Sequence, residues 1–292
     1  MIAAALALLA ADALPGTPTA AEIMADAPEG AWVAPDPEDT LYVDVPSGRI
    51  VVVLVPEMAP RHVEQLRTLA REGYYEGLHF YRVIDGFVAQ GGDESGEKDK
   101  GSAAQTLAAE FEVPMPAGLA FTPLGHADPY ADESGFVAGQ PAGRDPEGGT
   151  AWLAHCTGAF AFGRDEGRDT AATEFYVTLQ PQRYLDRNLT VLGRVVLGME
   201  HLQAMPRGAL GTAGTIEDER RWTPIESVTV ASDLPRKDRV PVEVMDTGSD
   251  TFRRLIEARA ARADAFFYYR PDHVDLCQMP IPVRLTPAQD GE

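Results

Sequence analysis

Three residues lie close together in the chain and have types that could act in concert: Arg82, Phe87 and Gln90. Arg82 stands inside the apolar run Phe80–Ile84, where a bare charge is costly to bury and needs a partner. Gln90 can orient it. A guanidinium is always charged, rigid and rich in donors, so it can grip a carbonyl and stabilise developing charge without moving a proton. Phe87 offers an apolar wall or floor beside it, and Tyr176, farther along, offers a second ring with a hydroxyl. Other constellations are weaker. Asp272-His273-Val274-Asp275 with Cys277 has the residue types of metal ligands, but the six histidines are scattered and no second cluster supports it, so a polar tail is the plainer reading. His155-Cys156 places a base beside a thiol without the surroundings of a known nucleophile. There is no P-loop and no dinucleotide-binding glycine fingerprint.

These residues need elements to hold them. Thr40–Pro46 alternates apolar and polar like a strand, and Arg49–Val55 is a β-branched run. Ser47-Gly48 turns one into the other as a hairpin. Pro60 opens a helix whose Val63, Leu66, Leu69 and Ala70 share one face, and Gly73 ends it. Strands follow at His79–Ile84 and Phe87–Gln90, then at Gly158–Phe162, Glu174–Leu179, Thr190–Val196 and Ile225–Ala231. Many short strands with regular turn signals and few helices predict a mainly β fold, a closed barrel capped by helices.

The segment Gly73-Tyr-Tyr-Glu-Gly-Leu-His-Phe-Tyr-Arg82-Val-Ile-Asp-Gly-Phe87-Val-Ala-Gln90-Gly-Gly-Asp93 resembles the cyclophilin signature, YY-x-G-x-x-F-H-R-V-I-x-x-F-M-x-Q-G-G-D, with its spacing kept throughout. Ala59-Pro60-Arg-His-Val63, Ala171-Ala-Thr-Glu174-Phe175-Tyr176, and Tyr184-Leu185-Asp186 followed by Val191-Leu-Gly193-Arg-Val195 resemble three further blocks of that family, in order. The resemblance covers roughly residues 40–232.

It implies an eight-stranded antiparallel barrel and peptidyl-prolyl cis/trans isomerase activity on proline-containing polypeptides, with no cofactor. The family assigns the catalytic role to the position held by Arg82. It assigns substrate contacts to Phe87, Val88, Gln90, Gly163, Arg164, Glu174, Tyr176, Tyr184 and Leu189. Several of these depart from the family pattern. Val88 replaces Met, Glu174 replaces Gln, Tyr176 replaces Phe, and Leu189 replaces His. Gly163-Arg164 stands for Ala-Asn, and Tyr184 replaces the Trp associated with cyclosporin binding. This altered rim motivates an alternative reading, a binding module or chaperone that holds proline segments with little turnover.

The remaining segments divide as follows. Met1–Ala10 is an apolar run too short to span a bilayer, and Ala11-Asp12-Ala13 offers a signal-peptidase pattern, although a basic n-region is missing. Residues 1–13 are therefore read as a signal peptide, against a plain Ala-rich terminus, and a periplasmic or secreted location is expected. Residues 14–39 read as an extended leader with a short helical patch near Ala20–Asp26. Residues 114–150, rich in Pro, Gly and Asp, read as a long loop insertion. Residues 233–292 form a C-terminal extension with one helix, capped by Ser249 or Asp250, striped by Phe252, Leu255, Ile256, Ala263 and Phe267, and stopped by Pro271. Cys156 and Cys277 form a disulfide or remain two buried thiols. A formal net charge of −20 would repel phosphate backbones and anionic lipid, so neither nucleic-acid nor membrane-surface binding is expected, and with no further apolar run of ~18 residues neither is membrane insertion. A monomer is expected.

Overall fold

The structure, a computed structural model, describes residues 16–286, and the expected signal peptide at 1–13 lies outside them. A short helix, α1 (Ala20–Ala25), starts at a reciprocal capping box between Thr19 and Glu22, and strand β1 (Trp32–Val33) follows. The expected hairpin forms from β2 (Thr40–Val45) and β3 (Gly48–Leu54), with Val45 paired to Gly48. Gly48 takes φ +144°, and a Cβ there would meet the His201 ring, so the turn requires glycine.

Helix α2 (Pro60–Arg71) has Pro60 in its first turn and buries Val63, Leu66 and Leu69. At its end Gly73 is left-handed (φ +68°), with Tyr74 N–H bonded to Leu69 C=O at 2.9 Å and Gly73 N–H to Ala70 C=O at 3.0 Å. These two bonds make a Schellman close. At its start Ala59 has no side-chain acceptor, and the Glu110 carboxylate takes over, accepting from the Arg61 and His62 N–H groups at 3.1 Å.

Strands β4 (His79–Val83) and β5 (Val88–Gly92) follow. Next come β6 (Val113–Pro114), β7 (Phe121–Pro123), β8 (Glu133–Val137), β9 (Gln140–Asp145) and β10 (Thr150–Leu153). Then come β11 (Ala159–Phe162), β12 (Phe175–Thr178), β13 (Val191–Leu197), the short helix α3 (Met199–Gln203), β14 (Thr223–Pro224) and β15 (Ser227–Val230). The chain finishes with β16 (Val242–Met245), α4 (Asp250–Ala261) and β17 (Val283–Leu285). No helix among the described residues is long and apolar enough to cross a membrane.

The main sheet runs β14-β4-β5-β12-β11-β13-β3-β2-β15, and every pairing in it is antiparallel. Its two ends belong to one extended stretch: β14 pairs with β4 through Thr223 and Phe80, and β15 pairs with β2 through Ser227 and Asp44. Counted as one strand, that stretch makes eight, consistent with the expected barrel. The interior is filled by side chains, among them Leu41, Ile50, Val52, Phe80, Phe160, Phe175 and Leu192, with α2 closing it through Leu66 and Leu69. Phe160 and Phe175 stack with centroids 5.0 Å apart.

Three expectations are corrected. Residues 114–150 are no loop: they build most of a second antiparallel sheet, in the order β6-β10-β9-β8-β7. The strands were hidden by composition, since β9 reads Gln-Pro-Ala-Gly-Arg-Asp without a β-branched or aromatic residue, and its pairing rather than its propensity makes it a strand. Residues 16–39 are no free extended leader: the expected helical patch is α1, which packs on α4, β1 pairs with β16, and Ile23 and Ala31 are buried. The C-terminal extension carries β16 and β17 besides its helix, which ends at Ala261, with Arg262 left-handed (φ 47°), well before Phe267 and Pro271. Ser249 is the cap, accepting from Phe252 N–H at 3.1 Å.

These three segments share one core. Ile23, Leu124, Phe136, Val244, Met245, Phe252, Leu255 and Leu276 pack in a single cluster beside the barrel. Cys156, between β10 and β11, is disulfide-bonded to Cys277 in that extension.

Candidate active site

On the outer face of β4, β5 and β12 lies a cavity of 640 Å³, within the range of ligand sites. Arg82, Phe87, Val88, Gln90, Gly163, Arg164, Glu174, Tyr176 and Leu189 all line it. Tyr184 does not: it is 60% exposed. Its neighbour Arg183 turns inward to Asp128 and Asp186, and on the tight turn Arg183–Leu185 this leaves Tyr184 facing solvent.

A β-bulge sets the position of Arg82. The β4–β5 register shifts between Phe80, opposite Gly91, and Arg82, opposite Gln90, so Tyr81 is an extra residue. Strict alternation would send Tyr81 and Arg82 to opposite faces. The bulge instead lets both reach Gln90, and bulges next to functional sites re-aim side chains in this way. Arg82 donates through a terminal nitrogen to Gln90 Oε1 at 2.9 Å and through Nε to the Ala213 carbonyl at 2.9 Å. Gln90 Nε2 donates to Tyr81 Oη at 2.9 Å and to Glu174 Oε2 at 3.2 Å. Tyr81 donates its proton to that same carboxylate oxygen at 2.6 Å. Burial pushes the Glu174 carboxyl above its ordinary range, against the hydrogen bonds from Tyr81 and Gln90. Burial and the Glu174 charge push the Tyr81 phenol up as well.

Beside this polar chain lies an apolar slot. Val88 and Tyr176 belong to a cluster against which Phe87 and Leu189 pack, and the same cluster continues into Val137, Ala142, Ala151 and Leu153 of the second sheet. The segment expected to be a loop therefore backs the slot. Gly163 N–H is used in a bond to the Glu174 carbonyl at 2.8 Å. The Arg164 guanidinium binds the carbonyls of Asn188, Asp165 and Glu166, which holds the rim together.

Tyr176 is fully engaged behind the slot. Its hydroxyl lies 2.9 Å from His155 Nε2, and His155 Nδ1 lies 3.0 Å from Asp186 Oδ1. Sequence reasoning gave His155 no role here, since its contact with Tyr176 is made across the sheet. It also missed Tyr81, which only the bulge brings to the site, and Ala213, whose carbonyl approaches through an irregular segment. Among the described residues no group of three His, Cys, Asp or Glu could hold a metal ion. In the Asp272–Cys277 segment, Cys277 is committed to the disulfide, and His273 packs edge-on against His126.

The arrangement can present guanidinium donors to a carbonyl lodged beside a small apolar slot. It offers no nucleophile–base pair aimed into the cavity, because the His155 imidazole sits behind Tyr176 rather than in the opening.

Comparison with known proteins agrees with this geometry. A probable peptidyl-prolyl cis-trans isomerase of Brucella suis is 29% identical over 188 residues, 63% of this chain and 80% of that protein. The human peptidyl-prolyl cis-trans isomerase-like 1 is 28% identical over 212 residues, 73% of this chain and 99% of that one. The crystal structure of the cyclophilin AquaCyp293 from Hirschia baltica superposes with a TM-score of 0.72 at 26% identity, covering 92% of this chain and 98% of that one. The family model described as cyclophilin type peptidyl-prolyl cis-trans isomerase matches residues 40–230, the stretch that contains the whole main sheet. On that match, and with Arg82 and Gln90 joined over an apolar slot, the chain belongs to the cyclophilin-type peptidyl-prolyl cis-trans isomerases.

Proposed function

We propose that this chain accelerates cis/trans rotation about X-Pro peptide bonds in unfolded or extended polypeptides. The observation that carries the reading is the placement of Arg82, held by Gln90 and Ala213 beside the slot of Phe87, Val88, Tyr176 and Leu189. Rotation about a peptide bond faces a barrier of ~18–20 kcal/mol because the C–N bond has partial double character. At X-Pro the two isomers differ by only about 0.5–1 kcal/mol, so a catalyst speeds both directions. As the bond twists, the prolyl nitrogen pyramidalises and gains lone-pair density. The slot holds the ring while Arg82 grips the prolyl carbonyl and favours the twisted nitrogen. No bond breaks and no proton moves.

Each tenfold acceleration requires about 1.4 kcal/mol of preferential transition-state stabilisation. Charge-assisted hydrogen bonds from one arginine in a partly dry cavity supply energies of that order. A protease-coupled assay on a short X-Pro peptide, comparing wild type with Arg82→Ala, tests the reading. Acceleration by wild type that is largely lost in the variant supports it, and a folded wild type with no rate above background refutes it.

We also place the protein in the periplasm or outside the cell, where it acts as a monomer. The apolar run Met1–Ala10 with Ala11-Asp12-Ala13, and the Cys156–Cys277 disulfide, support export into an oxidising compartment. Fractionation of the host cells and light scattering of the purified protein test these two points.

A further inference from the structure

Behind the slot runs a chain of buried polar groups that the isomerase chemistry above does not use. Tyr176 lines the cavity with its ring while its hydroxyl points back to His155 Nε2 at 2.9 Å. His155 is wholly buried, and its ring lies nearly parallel to that of Tyr176, 11° apart in plane. Asp186 Oδ1 accepts both from His155 Nδ1 at 3.0 Å and from the His155 backbone N–H at 2.8 Å. Its other oxygen binds Arg183 Nε, and Arg183 reaches Asp128 of the inserted segment at 2.9 Å.

Every link restricts the next. Asp186 accepts from the backbone and the side chain of one residue, so both the position and the tilt of the imidazole are set. With Nδ1–H engaged by the carboxylate, only Nε2 faces Tyr176, and it pairs with the hydroxyl in either protonation state, as acceptor or as donor. Burial works against ionisation of Asp186, but the hydrogen bond from His155 and the Arg183 charge outweigh it and keep the carboxyl below its usual range. The acceptor that anchors the imidazole is therefore charged.

We infer that His155 is a positioning residue for this isomerase: by holding the Tyr176 hydroxyl it pins the ring that forms the floor of the proline slot. The inference rests on the function proposed above and goes beyond it, by assigning the shape of the slot to a residue outside it. A phenylalanine floor, usual for the family, would need no such partner. A tyrosine does, because an unpaired buried hydroxyl is expensive. Deprived of His155, the ring's easiest relief is to turn its hydroxyl toward the wet cavity, into the space the proline ring must enter.

The experiment compares His155→Leu, His155→Gln, Tyr176→Phe and the double variant His155→Leu/Tyr176→Phe. Each is assayed for isomerisation of an Ala-Pro tetrapeptide and, by calorimetry, for affinity for that peptide. All measurements are made well below the melting temperature of each variant, with folding checked by circular dichroism. His155→Leu should weaken peptide affinity and lower kcat/KM about tenfold, chiefly through KM, the scale of one lost hydrogen bond in a buried site. His155→Gln, whose amide can still meet the hydroxyl, should retain most of both. Tyr176→Phe sets the reference level of a floor with no hydroxyl to hold, and the double variant should match that level rather than fall below it, since nothing is left to pin.

A purely structural His155 would lower the melting temperature of both Leu-containing proteins while leaving KM and affinity unchanged in each. That outcome, or a double variant as impaired as His155→Leu, overturns the inference while the isomerase reading stands. A folded wild type that binds the peptide without turnover refutes the isomerase reading alone, because the affinities still decide the role of His155. A wild type that neither turns over nor binds the peptide refutes both.

Discussion

Arg82 donates to Gln90 Oε1 at 2.9 Å, and this bond dictates which way the Gln90 amide faces. The Nε2 end is thereby turned to Tyr81 and Glu174, so one amide joins the cation to the carboxylate. Among the described residues the Arg82 guanidinium makes one other bond, to the Ala213 carbonyl. Gln90→Ala should leave the guanidinium tethered at one point, free to swing out of register with the prolyl carbonyl. Steady-state kinetics should show kcat/KM falling about tenfold, with kcat affected more than KM, because a misplaced donor is felt most when charge develops. An unchanged kcat would show that Ala213 alone fixes Arg82.

Glu174 is held near Arg82 in a site that disfavours its charge. Burial raises its carboxyl pKa above the ordinary value, although Tyr81, Gln90 and the Asp93 backbone all donate to it. The folded state then binds more protons than the unfolded chain in the window above the ordinary value of 4.5, so stability is greatest below that value and declines as pH rises through the folded pKa. Glu174→Gln removes this liability while keeping an acceptor for Tyr81 and Gln90. Thermal melts should show the variant more stable than wild type at pH 7, with the gap closing toward pH 4. A constant gap across that range would remove the ionised carboxylate as its cause.

How far these groups were legible in the chain depends on how local each relationship is. Arg82, Phe87 and Gln90 sit in one uninterrupted segment whose spacing survives folding, so they could be named together, and the hairpin β2–β3 announces itself by alternation. Tyr81 was hidden, because period-two reasoning turns it away from Arg82 and only the bulge reverses that. The sheet built from residues 113–153 was hidden too, because Gly and Pro dominate its turns and β9 has no strand-forming side chains. Its pairing, and its apolar contact with Tyr176 and Val88, compensate for poor propensity. Tyr184 enters the site reading only through the resemblance, and it does not line the cavity, because its neighbour Arg183 turns inward and leaves it exposed.

Glu110 too acts on a partner far from it in sequence. It caps α2 from another part of the chain, accepting from the Arg61 and His62 N–H groups at 3.1 Å and from His62 Nδ1 at 2.7 Å. Burial opposes ionisation, but the bonds from His62 and the two amides lower its pKa overall. The folded state therefore holds fewer protons than the unfolded chain, and the stabilisation is present above the unfolded value of 4.5 and lost as pH falls through the folded pKa. Glu110→Ala should cost about 1–2 kcal/mol at neutral pH, the scale of a lost helix cap. Denaturant titrations at pH 7 and at pH 3 should show the difference shrinking in acid.

The Cys156–Cys277 bond joins positions separated by 121 residues and ties the C-terminal extension to the segment that carries His155. Cross-linking so long a loop removes much freedom from the unfolded chain, so Cys277→Ser should lower stability by about 2–4 kcal/mol. The effect on catalysis should be smaller. Cys156 adjoins His155, but Asp186 holds that histidine through two bonds that do not involve the disulfide. Wild type in reductant should therefore melt earlier, as Cys277→Ser does, while turning over peptide within about threefold of the oxidised rate at 10 °C, since less than one hydrogen bond's worth of site geometry is at stake. A reduced protein that stays folded but loses most of its kcat/KM would show that the extension, through the disulfide, holds the slot in shape.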